Sequence, residues 1–273
     1  MSDWLCAPHP APRIGPFGWL HVGGRGVVLG AVTYGGLALL VLLRLVEAPL
    51  FGAARPWTPY VTQSVCKLAF VILRLPLRVT GTPMTQNGAV VANHSSWLDI
   101  FALNACQRVY FVAKSEVRGW AGIGWLARST GTVFIARKGA EAKVQAGIFE
   151  NRLKSGHRLL FFPEGTSTDS VRVLPFKSTL FAAFFAPDLA AQMHIQPVTV
   201  IYHAPPGQDA RYYGWWGEME FAPHLILTLA TQPQGSVEVI FHPEVPVAAF
   251  ADRKALAAYC ERVIRTSHPH AAA

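Results

Sequence analysis

Charge is scarce in this chain. Of its 273 residues 15% are Asp, Glu, Lys or Arg, against roughly 25% in an average soluble domain. Hydrophobic residues make up 51%, and the mean hydropathy is +0.28. A disordered chain is excluded, and a membrane-associated one is favoured. Acids are scarcest: 16 against 24 Lys and Arg, a net charge of +8. Residues 1–80 hold seven Lys or Arg and only Asp3 and Glu47 as acids. A basic surface suits nucleic acid or anionic lipid, but no nucleic-acid motif is present, and the interleaved apolar residues point to lipid. Cysteine is sparse too. Cys6, Cys66, Cys106 and Cys260 form no Cys-x-x-Cys pair and no cluster with histidine, which argues against a zinc site or a disulfide framework and for reduced thiols facing the cytosol. His-Glu-x-x-His and Gly-x-Ser-x-Gly are both missing, which argues against a metalloenzyme and an elbow-type serine hydrolase.

Residues 1–26 are rich in Pro and Gly and read as an irregular leader. Residues 27–43 carry no charge and are bracketed by Arg25 and Arg44. As a helix they extend about 25 Å, enough to cross a bilayer or to enter one leaflet. The excess of positive charge after this run places the main body on the cytoplasmic side. In residues 62–79, Lys67, Arg74 and Arg78 fall on one helical face with Val65, Ala69, Ile72 and Leu73 opposite. That pattern suits a helix in the plane of a membrane surface, and equally an ordinary surface helix packed on a core. Residues 27–79 thus read as a membrane-docking segment.

From residue 80 to 273 short apolar runs alternate with helical patterns, which is α/β texture. Strands are expected at 89–92, 109–113, 132–136, 159–162, 197–202 and 237–241. Helices are expected at 97–106, 120–128, 141–154, 179–185 and 253–266. The fold class is α/β, one catalytic domain behind a helical docking segment.

Three stretches carry chemistry. In VVANHSSWLDIFAL (90–103) an apolar strand meets a helix, with Ser95 or Ser96 as N-cap. His94 lies at the junction and Asp99 within the first turns, where a carboxylate can hold one imidazole nitrogen and leave the other free as a base. The same spacing also occurs as plain structure. In FFPEGTS (161–167), Glu164, Gly165 and Thr166 form a turn open to a ligand, and Glu164 alternatively caps the segment that follows. In GTVFIARKGAEAKV (131–144), Arg137 and Lys138 end a strand, where they can meet an anion or simply be solvated.

Taken in order, NHSSWLD, FVAKSEVRGWAGIGWLARSTGTVFIAR, FFPEGTS and IQPVTV closely resemble the four blocks of the glycerolipid acyltransferase family, in particular bacterial 1-acylglycerol-3-phosphate acyltransferases. The resemblance covers about residues 60 to 245. The stretch YYGWWGEMEFAPHL (212–225) looks like members that include lyso-ornithine lipid acyltransferases. The resemblance implies a mixed α/β sheet flanked by helices, with His94 as general base and Asp99 as its orienting partner. Arg137 would meet the acceptor's phosphate beside Lys138, and Arg172, Lys177 or Lys138 would stand in for the cation that the family carries after Thr166. Glu164, Gly165 and Thr166 would hold the acceptor's glycerol or phosphate portion, and Pro197 would shape the acyl-donor side. The implied reaction moves a fatty acyl group from acyl-carrier protein or acyl-coenzyme A to 1-acylglycerol-3-phosphate, giving phosphatidate, or to lyso-ornithine lipid. It needs no metal or cofactor and takes place at the cytoplasmic face of the bacterial inner membrane. One departure stands out. The family commonly has Arg after Pro-Glu-Gly-Thr, where this chain has Ser167. A non-catalytic lipid-binding protein is the alternative of another class.

Overall fold

The computed structural model describes residues 3–9, 12–120, 122–135, 142–186 and 188–270. Its first long element, α1, spans Pro16–Phe51, so the irregular leader ends at residue 15 rather than 26. Pro16 occupies the first helical turn, where its missing N–H costs nothing. Of the glycines that look like helix breakers, Gly36 is a point of close approach, where a side chain would overlap Val65. At 36 residues α1 is about 54 Å long, and it is apolar enough to cross a membrane by length and composition.

The next helix, α2, spans Thr58–Leu73 and is shorter than the 62–79 pattern implied. Arg74 takes a left-handed conformation at φ 54° and Leu75 N–H returns to the Phe70 carbonyl, closing the helix before Pro76. Arg78 therefore leaves the helical face shared by Lys67 and Arg74. It lies on a strand, β1 (Leu77–Thr80), so the sheet begins before residue 80. Cys66, Ala69, Phe70 and Leu73 of α2 are buried in the protein, while Leu68 and Val71 are exposed.

The α1–α2 hairpin is tied by its few charges. Glu47, fully buried, accepts from the N–H groups of Trp57 and Thr58, the Thr58 hydroxyl and Arg44. It thereby supplies the acceptor that the start of α2 lacks.

The remaining elements are β2 (Gly88–Ala92), α3 (Leu98–Cys106), β3 (Tyr110–Lys114), α4 (Ile123–Ser129), β4 (Val133–Ile135), α5 (Ala142–Lys154), β5 (Leu159–Phe161), β6 (His194–His203), α6 (Phe221–Ala230), β7 (Ser236–Phe241), β8 (Val245–Pro246) and α7 (Arg253–Ser267). Residues 179–185, expected as a helix, form a short 3-10 segment, Leu180–Phe185. The strand order is β1-β7-β6-β2-β5-β3-β4, with β8 beside β6. Pairing is parallel except where β6 meets β7 and β8.

Strand side chains alternate between two cores. Val90, Ala92, Leu160, Val198 and Val200 face α1, α2, α3 and α6. Ala89, Val91, Leu159, Phe161 and Ile195 face α5, α7 and the 180–185 segment. With both faces covered, β2 reads as an unbroken buried run.

Candidate active site

β2 and β5 are parallel neighbours, so the loops leaving their carboxyl ends lie side by side, where α/β sheets commonly bind ligands. The first loop carries His94, the second Glu164. His94 Nδ1 is 2.7 Å from Asp99 Oδ2, and that oxygen also accepts the N–H groups of Ser95 at 2.8 Å and Ser96 at 3.0 Å. The side chains of Ser95 and Ser96, expected as caps, do not cap. Trp97 stands at the N-cap position, and Asp99 folds back from the first turn of α3 to take the free amides. A carboxylate there suits the positive end of the helix better than a hydroxyl.

Asp99 Oδ1 accepts from the Tyr202 hydroxyl at 2.6 Å. Asp99 is fully buried, and its four donors offset the cost of burying the carboxylate. Burial and the neighbouring Asp99 charge push the Tyr202 phenol well above its ordinary pKa, so it remains a donor. With Nδ1–H given to Asp99, Nε2 is the free acceptor of the ring. The His94 side chain keeps 18% of its surface exposed and stacks on Phe162 at 4.0 Å with 9° between planes.

Glu164 is only 1% exposed. Its Oε1 accepts His94 N–H at 2.7 Å and its Oε2 accepts Leu174 N–H at 2.6 Å. Burial pushes it up to about 8, against the pull of these two amides. In this arrangement Glu164 braces the His94 backbone rather than reaching for a ligand. Thr168 adds to the brace, its N–H and hydroxyl both donating to the His94 carbonyl. Gly165 adopts φ 74°, and the Lys177 ammonium lies against it where a β-carbon would project. Thr166 and Lys177 are exposed, whereas Arg172 is bound to Asp169 at 2.8 Å. Ser167 is buried. Pro197 is buried in β6 opposite Val91, between the residues that pair with β8 and those that pair with β7. Its missing N–H falls at that change of partner. Arg137 and Lys138 lie outside the described residues.

Three contributors have contacts that the sequence did not announce. Tyr202 sits in an apolar strand. Asn93 clamps β2 to β6 by exchanging hydrogen bonds with the Val200 backbone at 2.8 Å. The 212–225 stretch packs against the turn that carries His94: Trp215 N–H donates to the Ser95 carbonyl at 2.9 Å, and His224 Nδ1 accepts from Trp97 Nε1 at 2.7 Å. Burial holds His224 near 4, neutral and able to accept.

Comparison with known proteins gives this arrangement a family. A family model described as Acyltransferase matches residues 77–201, which includes both loops. The lyso-ornithine lipid O-acyltransferase of Rhodobacter capsulatus is 56% identical over 242 residues, covering 89% of this chain and 88% of the relative. The 1-acyl-sn-glycerol-3-phosphate acyltransferase of Neisseria gonorrhoeae is 39% identical over 102 residues, 36% of this chain and 40% of that protein. Among solved structures, the 1-acyl-sn-glycerophosphate acyltransferase of Thermotoga maritima shares the fold at a TM-score of 0.55 and 21% identity, over 89% of this chain and 95% of that one. The chain therefore belongs to the glycerolipid acyltransferase family and is an O-acyltransferase of the bacterial lyso-ornithine lipid and 1-acylglycerol-3-phosphate type.

Proposed function

We propose that the protein acylates the free hydroxyl of lyso-ornithine lipid from a thioester donor, with His94 as general base. The observation that carries this reading is the 2.7 Å bond between His94 Nδ1 and a fully buried Asp99. That bond fixes the tautomer and leaves Nε2 to take the hydroxyl proton. The resulting oxygen nucleophile attacks the thioester carbonyl. The tetrahedral intermediate then collapses, the C–S bond breaks, and the imidazolium returns its proton to the leaving thiolate. Asp99 stabilises the imidazolium between those two steps. Glu164 and Thr168 hold the backbone of the base in register. Gly165, Thr166 and Lys177 form the face on which the acceptor headgroup rests, and the sheet around Pro197 supports the donor side. No metal or cofactor enters the scheme, and acyl-carrier protein or acyl-coenzyme A supplies the acyl group.

The choice of acceptor follows the relative similar over nearly its whole length, which is named for lyso-ornithine lipid, and the residue after Thr166. Ser167 replaces the cation a phosphate monoester would want, while the carboxylate of an amino acid headgroup can be met by Lys177 alone. Lysophosphatidate is the second reading, favoured by the shorter match to a protein named for that substrate.

The α1–α2 hairpin would bring the site to its lipid. Both ends of α1 are bound to the catalytic domain: Arg25 donates to the Leu229 and Thr231 carbonyls at the end of α6, and beyond Phe51 Arg55 donates to the Ser129 carbonyl at the end of α4. Between them Val27, Leu39, Leu42 and Leu45 are exposed. A helix anchored at both ends to one domain fits insertion into a single leaflet from that side, the cytoplasmic face of the inner membrane by its flanking charge.

The test is a direct competition. Purified protein is offered equimolar lyso-ornithine lipid and lysophosphatidate with an acyl thioester, and preferential formation of ornithine lipid is expected. Acylation of lysophosphatidate alone would overturn the acceptor assignment.

A further inference from the structure

The proposed chemistry uses the carboxyl ends of β2 and β5; a second gathering of charge lies at the amino ends of β3 and β5. There a cavity of about 320 Å³ opens between the hinge joining α1 to α2 and the turn after α5, lined by Phe51, Arg55, Arg108, Tyr110, His157 and Arg158. Arg152 stands beside it, its guanidinium 4.5 Å over the Tyr110 ring. Among the described residues, Arg55, Arg108, Arg152 and Arg158 form no ion pair with a carboxylate. Each of Arg55, Arg152 and Arg158 donates through a terminal nitrogen to a backbone carbonyl, of Ser129, Gly131 and Thr85 respectively, while its Nε is buried without a hydrogen-bond partner. His157, a residue only 6% exposed, lies among them with the Ala53 backbone as its polar neighbour. Burial and the adjacent guanidinium charges push His157 down to about 4, against the nearby Ala53 backbone, and push Arg152 down to about 10. Half-buried like charges held close together, with buried Nε donors unfilled, are costly unless an anion joins them.

We propose that this cavity binds a phosphate group, at a site distinct from the catalytic turn. Guanidinium donors arriving from the hinge, from the start of β3 and from the start of β5 surround a tetrahedral oxyanion better than a planar carboxylate. The source favoured by position is the phosphodiester of an anionic lipid headgroup. The cavity adjoins Phe51 at the end of the exposed apolar run of α1, the level at which headgroups meet a helix lying in one leaflet. Free phosphate presents the same chemistry. The lipid source rests on the membrane reading above; the anion site does not.

The test uses the full chain in detergent, with inorganic phosphate as one probe. The second probe is vesicles of phosphatidylcholine with and without phosphatidylglycerol. Arg55→Gln and Arg108→Gln remove cavity cations, and Arg108 is exposed, so its loss leaves folding intact. Arg78→Gln removes the same charge from exposed strand β1. Each cavity variant should lose about thirtyfold in binding, as for a hydrogen bond to a charged group. Arg78→Gln should lose no more than the roughly fivefold of one diffuse surface charge. Loss confined to phosphatidylglycerol vesicles upholds the site with lipid as the source. Loss on inorganic phosphate as well upholds it with a free phosphate as ligand. Equal losses in all three variants, or none, overturn it. Because the readout is binding, failure of the acyl-transfer reading would appear separately, as absent turnover in a wild type that still binds.

Discussion

Replacing Asp99 by Asn isolates what its charge contributes. Oδ2 receives His94 Nδ1, Ser95 N–H and Ser96 N–H at 2.7, 2.8 and 3.0 Å, and Oδ1 receives the Tyr202 hydroxyl at 2.6 Å. An Asn oxygen can serve the three donors on one side while its NH2 turns to the Tyr202 oxygen, which becomes the acceptor. The first turn of α3 and the imidazole tautomer then survive, and only the negative charge is lost. Two unit charges about 4 Å apart at an effective dielectric near 20 interact by about 4 kcal/mol. Withdrawing that support from the imidazolium lowers kcat by roughly 10³-fold, with KM for both substrates near wild type. The assay is steady-state acyl transfer from a radiolabelled thioester, with the melting temperature measured alongside. A kcat within about tenfold of wild type in a folded variant would refute the reasoning, because it would leave Asp99 as a helix cap and nothing more.

Tyr202→Phe leaves Asp99 Oδ1 buried without a donor, so unfolding free energy should fall by about 1.5 to 3 kcal/mol in a denaturant titration, where no change would remove Tyr202 from the site. Glu164, held at about 8 by burial, keeps in the folded state a proton that the unfolded chain gives up at ordinary carboxylate pH. Stability should therefore decline as pH rises from about 5 through 8, with a slope of up to about 1.4 kcal/mol per unit, and Glu164→Gln should flatten that decline; identical pH profiles would contradict the assigned burial cost. Glu47→Ala strips the start of α2 of its acceptor and should cost about 1 to 2 kcal/mol, read as a lower melting temperature, whereas an unchanged one would mean that the hairpin is held by apolar packing alone.

The parallel core was legible because strands covered on both faces appear as short apolar runs, and those at residues 89–92, 159–162 and 237–241 match β2, β5 and β7 within a residue. β1 was not legible: Leu77–Thr80 continues the cationic spacing of α2, and only the left-handed Arg74 and the pairing with β7 separate them. Nor was the helix at Pro16–Phe51 in full, since Pro and Gly through residue 26 read as irregular, whereas Pro16 starts the helix and Gly18, Gly23, Gly24 and Gly26 lie within it. α6 (Phe221–Ala230) was missed as a helix because Pro223 interrupts its short pattern, although proline is tolerated so near an N-terminus. At the site, His94 and Asp99 were readable from a local spacing of five. Tyr202, 103 residues from Asp99 in the chain, depends on the β2–β6 pairing, which no local pattern announces. Glu164 was expected to hold the acceptor, whereas its inward orientation depends on two backbone amides that only the folded loops bring together.

The account rests on His94 as the base. The most direct measurement is thioester-dependent acyl transfer by purified wild type and His94→Ala, with lyso-ornithine lipid as acceptor and with lipid binding followed in the same preparations. Wild type should form ornithine lipid, and His94→Ala should bind lipid equally but turn over at least about 100-fold more slowly. Full activity in His94→Ala would contradict the account.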